Sequence, residues 1–289
     1  MSSIDYDGYI NDILNIVRTK GVAKYVKQFN KTIKDVDKDI HTESTFMKYA
    51  NQLLGMYHPH SSLYKTNAST EHPKKKNKDT LFSFSPDKIG KIQLFSFTSY
   101  TGPKQYELEK KKFIDDIHNF LDESERKGMK GLIIDFSKNG GGGMWQIIDA
   151  FNRYLNNTTL FAWSTEKVSV DKKEWVNLES NKIVWNKKYL TKDLKTDIPI
   201  AVIVSKHTAS AGEIGASLFK SSNNVKVFGE KTKGYLSVNY TIPIGKEFGV
   251  IFTSTLQTSK DGTFNEFIVP DVITHTPITC AKKWITATV

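Results

Sequence analysis

Between Ile198 and Phe219 the chain passes from an apolar strand to a helix through a turn that carries a serine, and this junction restricts the fold more than any other segment. The run from Ile198 to Val204 is apolar and β-branched and too short for a helix, so it reads as a strand buried on both faces. Ser210 then falls at the first turn of Ala211–Phe219, whose Ile214, Leu218 and Phe219 have helical spacing. A helix N-terminus presents unpaired N–H groups and a partial positive charge, which favour a serine alkoxide and a developing oxyanion. Ser210-Ala211-Gly212-Glu213 equally fits a capping box, in which the serine is a plain cap and Glu213 reaches back to it. Nucleophile and cap both stay open on these residues alone.

A second strand-to-helix junction stands at Gly131-Leu132-Ile133-Ile134-Asp135-Phe136, followed by Ser137-Lys138-Asn139, Gly140-Gly141-Gly142-Gly143 and a helical pattern through Ile147, Ile148, Phe151, Tyr154 and Leu155. Four consecutive glycines cost backbone entropy and suit a place where N–H groups must come close to something. No Gly-Lys-Ser/Thr closes this run and its spacing does not give G-x-G-x-x-G, so neither nucleotide fingerprint is met. An oxyanion hole uses the same backbone geometry and fits better beside a serine.

The third segment is near the N-terminus. Thr42–Met56 reads as a helix through Phe46, Tyr49, Leu53 and Leu54, and Pro59 stops it before His60-Ser61-Ser62. His58 and His60 have the spacing of two metal ligands, but no cysteine or acidic cluster nearby completes a zinc set. A general base for Ser210 is the sharper reading, since imidazole takes a proton near neutral pH.

Taken in order, the histidine loop, the glycine run and Thr208-Ala209-Ser210-Ala211-Gly212-Glu213 resemble the C-terminal processing (tail-specific) serine peptidase family. Phe228-Gly229-Glu230-Lys231-Thr232-Lys233-Gly234-Tyr235-Leu236-Ser237-Val238-Asn239 and Ile268-Val269-Pro270-Asp271 add to the match. The resemblance runs from about residue 40 onward and is nearer the branch without a PDZ domain, that of the nisin-resistance protein, since no room for such a domain exists between Leu63 and Ile89. It implies Ser210 as nucleophile, His60 as its base, and an oxyanion hole from the N–H of Ala211 and of Gly141 or Gly142. Where the processing branch places a catalytic lysine, this chain has Tyr235, which leaves Lys231 and Lys233 as the remaining lysine candidates. Glu266 is the candidate for the third catalytic group, although a dyad without it is an alternative.

The chain has 289 residues, 38% of them hydrophobic, enough for a full core. Alternating strands and helices argue an α/β class, and the resemblance implies a ClpP/crotonase-like core. Ile10, Ile13, Ile16 and Val17, then Val22, Tyr25, Val26 and Phe29, have helical spacing. Residues 1–57 are therefore expected to form a helical bundle and residues 58–289 the peptidase core. Within that core, residues 156–197, with Trp163, Trp175 and Trp185 among short alternating runs, are expected to form a β-rich cap. The stretch Glu71–Asp79 reads as a solvated basic loop.

A net charge of +10 comes mainly from lysines spread along the chain. It is not focused in a stripe with base-stacking elements, which argues against nucleic-acid binding. The single Cys280 excludes an intrachain disulfide. No apolar run suits a signal peptide or a membrane span, so the expectation is a cytoplasmic protein or an exported one without its leader. Together these features point to a serine peptidase of unfolded peptide or protein tails, needing neither metal nor cofactor. The alternatives are an inactive relative binding peptide or apolar ligands in the same cleft, and a nucleotide-binding protein using the glycine run.

Overall fold

The structure is a computed structural model that describes residues 5–20, 40–66, 77–98, 103–154, 162–164, 197–220, 224–258 and 266–289. The chain divides into two compact units. One comprises Met1–His72, Ala162–Asn181 and Ser237–Phe264; the other comprises Pro73–Phe161, Lys182–Leu236 and Asn265–Val289. The expected cap and its Trp175 and Trp185 lie outside the described residues apart from Ala162–Ser164, as does the basic loop up to Lys76.

In the larger unit a six-stranded sheet has the order β10-β7-β6-β4-β3-β2, with β2 Leu81–Phe84, β3 Ile89–Phe97, β4 Gly131–Gly142, β6 Ile200–Val204, β7 Val225–Gly229 and β10 Val272–Ile273. All neighbours are parallel except the β2–β3 hairpin. The apolar reading of Ile198–Val204 holds in β6, where all five residues are buried. Burial on both sides requires two helical layers. On one side α6, Pro277–Thr288, packs Ala281 and Ile285 on Ile133, Ala201, Ile203 and Phe228. Gly131 permits this approach, because a Cβ there would lie 2.3 Å from Ile285 Cγ2. On the other side Gly90 of β3 faces Leu132 and Phe120 of α3, Pro103–Arg126. The helix α3 opens on Pro103, since a proline at the first helical position loses no bond. Trp145–Phe151 (α4) and Ala211–Phe219 (α5) follow β4 and β6.

One element departs from its sequence pattern. The strand expected to end near Phe136 runs on through Gly142, with Phe95 opposite Lys138 and Phe97 opposite Gly142. Register shifts on either side of Phe95 absorb the extra residues. Most of the glycine run is thus the extended end of a strand rather than a free loop.

In the smaller unit β9, Phe248–Thr258, is the spine of an antiparallel sheet. It pairs with β8, Ser237–Ile244, with β1, Ser62–Lys65, and with β5, Ala162–Ser164. Two helices, α1 Tyr6–Lys20 and α2 Glu43–Tyr57, bury Ile10, Ile13, Phe46, Leu53 and Leu54 in one core with Phe248, Val250 and Phe252. Phe46 meets Phe248 edge-on at 5.0 Å between ring centres. Of the bundle expected over residues 1–57, residues 21–39 lie outside the described residues. Among the described residues no helix is long and apolar enough to cross a membrane.

Candidate active site

Ser210 occupies the turn from β6 to α5, and side chains from that turn fasten it to β4. Thr208 is fully buried, donates from its hydroxyl to the Phe136 carbonyl at 2.9 Å and accepts from the Ser205 N–H at 2.9 Å. Ser205 Oγ donates to the Ser137 carbonyl at 2.7 Å, and the Ala209 N–H to that of Asn139 at 3.1 Å. Ser210 itself is half-buried with φ 52° and ψ −120°, a positive φ that a side chain rarely adopts. Such a conformation costs about 1–3 kcal/mol and persists only where neighbouring contacts over-determine it. A strained serine between a strand and a helix is the device that exposes a nucleophile at the top of a sheet.

The glycine run abuts this serine. Gly141 has φ +119°, and a Cβ on it would fall 2.9 Å from Ser210 Cβ and 3.4 Å from Ser210 Oγ. Gly142 has φ +110°, and a Cβ there would strike the Phe97 carbonyl oxygen. Gly140 donates to Ser96 Oγ at 2.8 Å, Gly141 to Asn139 Oδ1 at 3.0 Å and Gly143 to the Phe97 carbonyl at 2.8 Å. Asn139 is buried and also donates from Nδ2 to the Phe95 carbonyl at 3.1 Å, which ties the glycine strand to β3.

Glu213 is more than a helix cap. Its carboxylate, fully buried, accepts from the Ser210 N–H at 2.9 Å, from the Gly234 N–H at 2.8 Å, from the Tyr235 N–H at 2.7 Å and from the Thr232 hydroxyl. Burial raises its pKa above the ordinary carboxylate value, against the downward pull of those four donors. Tyr235 therefore lies in the segment bonded to the same carboxylate as Ser210. The two lysine candidates rest on aromatic faces, Lys231 Nζ 3.4 Å from the centre of the Phe267 ring and Lys233 Nζ 4.9 Å from that of Tyr235. The Glu266 carbonyl accepts from the Leu236 N–H at 3.4 Å.

His60 belongs to the smaller unit. The helix α2 ends at Tyr57, and His58 takes the extended conformation expected of a residue before Pro59. The His60 N–H donates to His58 Nδ1 at 3.2 Å, and the His60 carbonyl accepts from Asn239 Nδ2 at 2.7 Å. His60 Nδ1 lies 2.7 Å from Ser237 Oγ, and both Ser237 and His58 are buried. The Thr253 hydroxyl is 2.9 Å from both Asn239 Oδ1 and His58 Nδ1, while the Thr253 N–H donates to Ser61 Oγ at 3.0 Å.

The family model for peptidase family S41 matches residues 88–274, more than half of the chain. The chain belongs to peptidase family S41. The matched span of this S41 chain includes Ser210, the glycine strand, Glu213 and Glu266, and His60 precedes it. The chain is 32% identical to the nisin-resistance protein of Lactococcus lactis subsp. lactis over 181 residues, 59% of this chain and 54% of that protein. It is 31% identical to the carboxy-terminal processing protease CtpA of Bacillus subtilis over 186 residues, 63% of this chain and 33% of that protein. The matches thus span about half or less of these relatives' own length. A lipoprotein structure from Streptococcus agalactiae shares the fold with a TM-score of 0.75 at 21% identity, covering 100% of this chain and 99% of that one. A structure from Parabacteroides merdae does so with a TM-score of 0.68 at 16% identity, over 100% and 98%.

Ser210, Ala211 and Gly141 are thus neighbours in one unit, while His60 is held in the other unit by Ser237 and Asn239. Thr253 went unread, and Asn139, Thr208, Thr232 and Ser237 were read only as parts of motifs. Asn139 had a cue in its place before the glycines. A lone Ser or Thr in an ordinary strand pattern carries none.

Proposed function

We propose that this S41 chain is a serine peptidase that cleaves unfolded peptide or protein C-terminal segments through an acyl-enzyme, with Ser210 as nucleophile and His60 as general base. The observation that carries the reading is Gly141 against a strained Ser210, which puts side-chain-free backbone beside the hydroxyl. In the first step His60 Nε2 takes the Ser210 hydroxyl proton while Oγ bonds to the substrate carbonyl carbon and the carbonyl oxygen becomes an oxyanion. The donors are the Ala211 N–H and one from the glycine strand; the bond from Gly141 to Asn139 favours Gly142 for that second donor, with Gly141 keeping the space open. Collapse breaks the C–N bond and the imidazolium protonates the leaving amine. Water then attacks the ester by the same steps in reverse order, and the scheme uses no metal and no cofactor. Glu266 is the acidic candidate for a third group. The fold is ClpP/crotonase-like in this reading, with the N-terminal helices and residues 156–197 as additions to the core.

The test is digestion of an unstructured peptide library by wild type and Ser210→Ala, with labelling by a fluorophosphonate serine probe. Both activities are expected to vanish in Ser210→Ala, while its circular dichroism and melting stay near wild type. Loss of a cap alone costs about 1 kcal/mol and removes no activity. A Ser210→Ala protein that still cleaves like wild type overturns the assignment.

A further inference from the structure

A general base acts only in the right tautomer. For Nε2 to accept the Ser210 proton, the single proton of the neutral imidazole must sit on Nδ1 and needs an acceptor there. Among the described residues a hydroxyl, Ser237 Oγ, lies within hydrogen-bond reach of Nδ1 at 2.7 Å. Ser237 is the first residue of β8 and only 3% exposed, so water does not compete freely for its oxygen. A hydroxyl has two lone pairs and accepts such a bond readily. Its neighbour in the strand, Asn239, holds the His60 carbonyl at 2.7 Å, and the β8–β9 register shifts between Val238 and Asn239. Irregularities of that kind re-aim side chains. His58 accepts the His60 N–H through Nδ1. Ring and backbone of His60 are therefore both held from β8.

We propose that Ser237 is the positioning residue of His60, its hydroxyl accepting the Nδ1–H and so keeping Nε2 unprotonated. The inference rests on the His60 reading above. A carboxylate in this place stabilises the imidazolium by its charge; a neutral hydroxyl supplies direction and tautomer with little charge. The contribution is accordingly smaller than that of a triad aspartate, whose replacement by its amide costs about 10⁴ in turnover.

The experiment uses the full chain labelled with ¹⁵N-histidine, comparing wild type, Ser237→Ala, Ser237→Thr, Glu266→Gln and His60→Ala. Ring nitrogen shifts read the tautomer and peptide hydrolysis reads kcat and KM. Wild type is expected to show His60 protonated on Nδ1. Ser237→Ala should give mixed tautomers and a fall in kcat of about tenfold to a hundredfold with KM unchanged, the pattern of a lost transition-state contribution. Ser237→Thr, which keeps the hydroxyl on a strand that suits β-branching, should restore both. Unchanged tautomer and kcat in Ser237→Ala overturn the inference, as does loss of the Nδ1 proton in Glu266→Gln with Ser237→Ala silent. If His60→Ala is inactive while Ser237→Ala is silent, the base reading survives and this inference alone fails. If His60→Ala turns over like wild type, the base assignment itself is overturned and this inference with it.

Discussion

Glu213 accepts hydrogen bonds from two stretches of chain, the turn of Ser210, the proposed nucleophile, on one side and Thr232 to Tyr235 on the other. Truncation to alanine leaves three backbone N–H donors without acceptors, at about 1–3 kcal/mol for each that stays buried. Glu213→Ala is therefore expected to lose at least about 3 kcal/mol in urea unfolding and, where folded, to label with the fluorophosphonate far more slowly than wild type. A variant as stable and reactive as wild type would show that these bonds do not hold the serine. Gly141 makes a different demand, since its φ of +119° and its place against Ser210 exclude a side chain. Gly141→Ala should lower kcat by about a hundredfold by displacing the nucleophile from its oxyanion donors, with peptide KM little changed. Wild-type kcat in that variant would show that the glycine strand has no part in the reaction.

At the scale of elements, periodicity and punctuation were enough wherever side chains carry the pattern. Ala211–Phe219 forms a helix with the expected bounds, and the helix expected over Thr42–Met56 is α2, Glu43–Tyr57, with Thr42 as its cap. The end of β4 was not legible, because a glycine run has neither an apolar face nor a polar one. Its pairing comes from β3 alongside it, which bonds to backbone and ignores side chains. The packing of α6 was equally invisible locally. Gly131 is an ordinary strand residue in sequence, yet Ile285 fills the place of its missing Cβ. Gly131→Val should cost about 1–3 kcal/mol by overpacking and lower the melting temperature, while Ser210 labelling at low temperature stays near wild type. A melting temperature equal to wild type would mean that α6 is free to shift at no cost.

For the whole molecule, a net charge of +10 sets a long-range bias on substrate encounter. Cationic peptides are repelled and anionic ones drawn in, and salt weakens both effects. Raising the ionic strength from roughly 10 mM to 150 mM, which shortens the screening length from about 30 Å to about 8 Å, should raise kcat/KM for a lysine-rich peptide and lower it for a glutamate-rich one. The opposite trend would place an acidic groove where the peptide binds. The sequence by itself determined the α/β class, the serine at a helix start, the glycine run and the histidine after a helix stopped by proline. Each of these is written within some ten residues as spacing, turn chemistry or the absence of a side chain. Only the tertiary structure decided that Gly141 faces Ser210, that Glu213 collects four donors and that His60 Nδ1 meets Ser237, 177 residues away in the chain. Those contacts depend on strand order, register and a one-residue irregularity in a ladder, and no local pattern encodes which distant backbone will lie alongside.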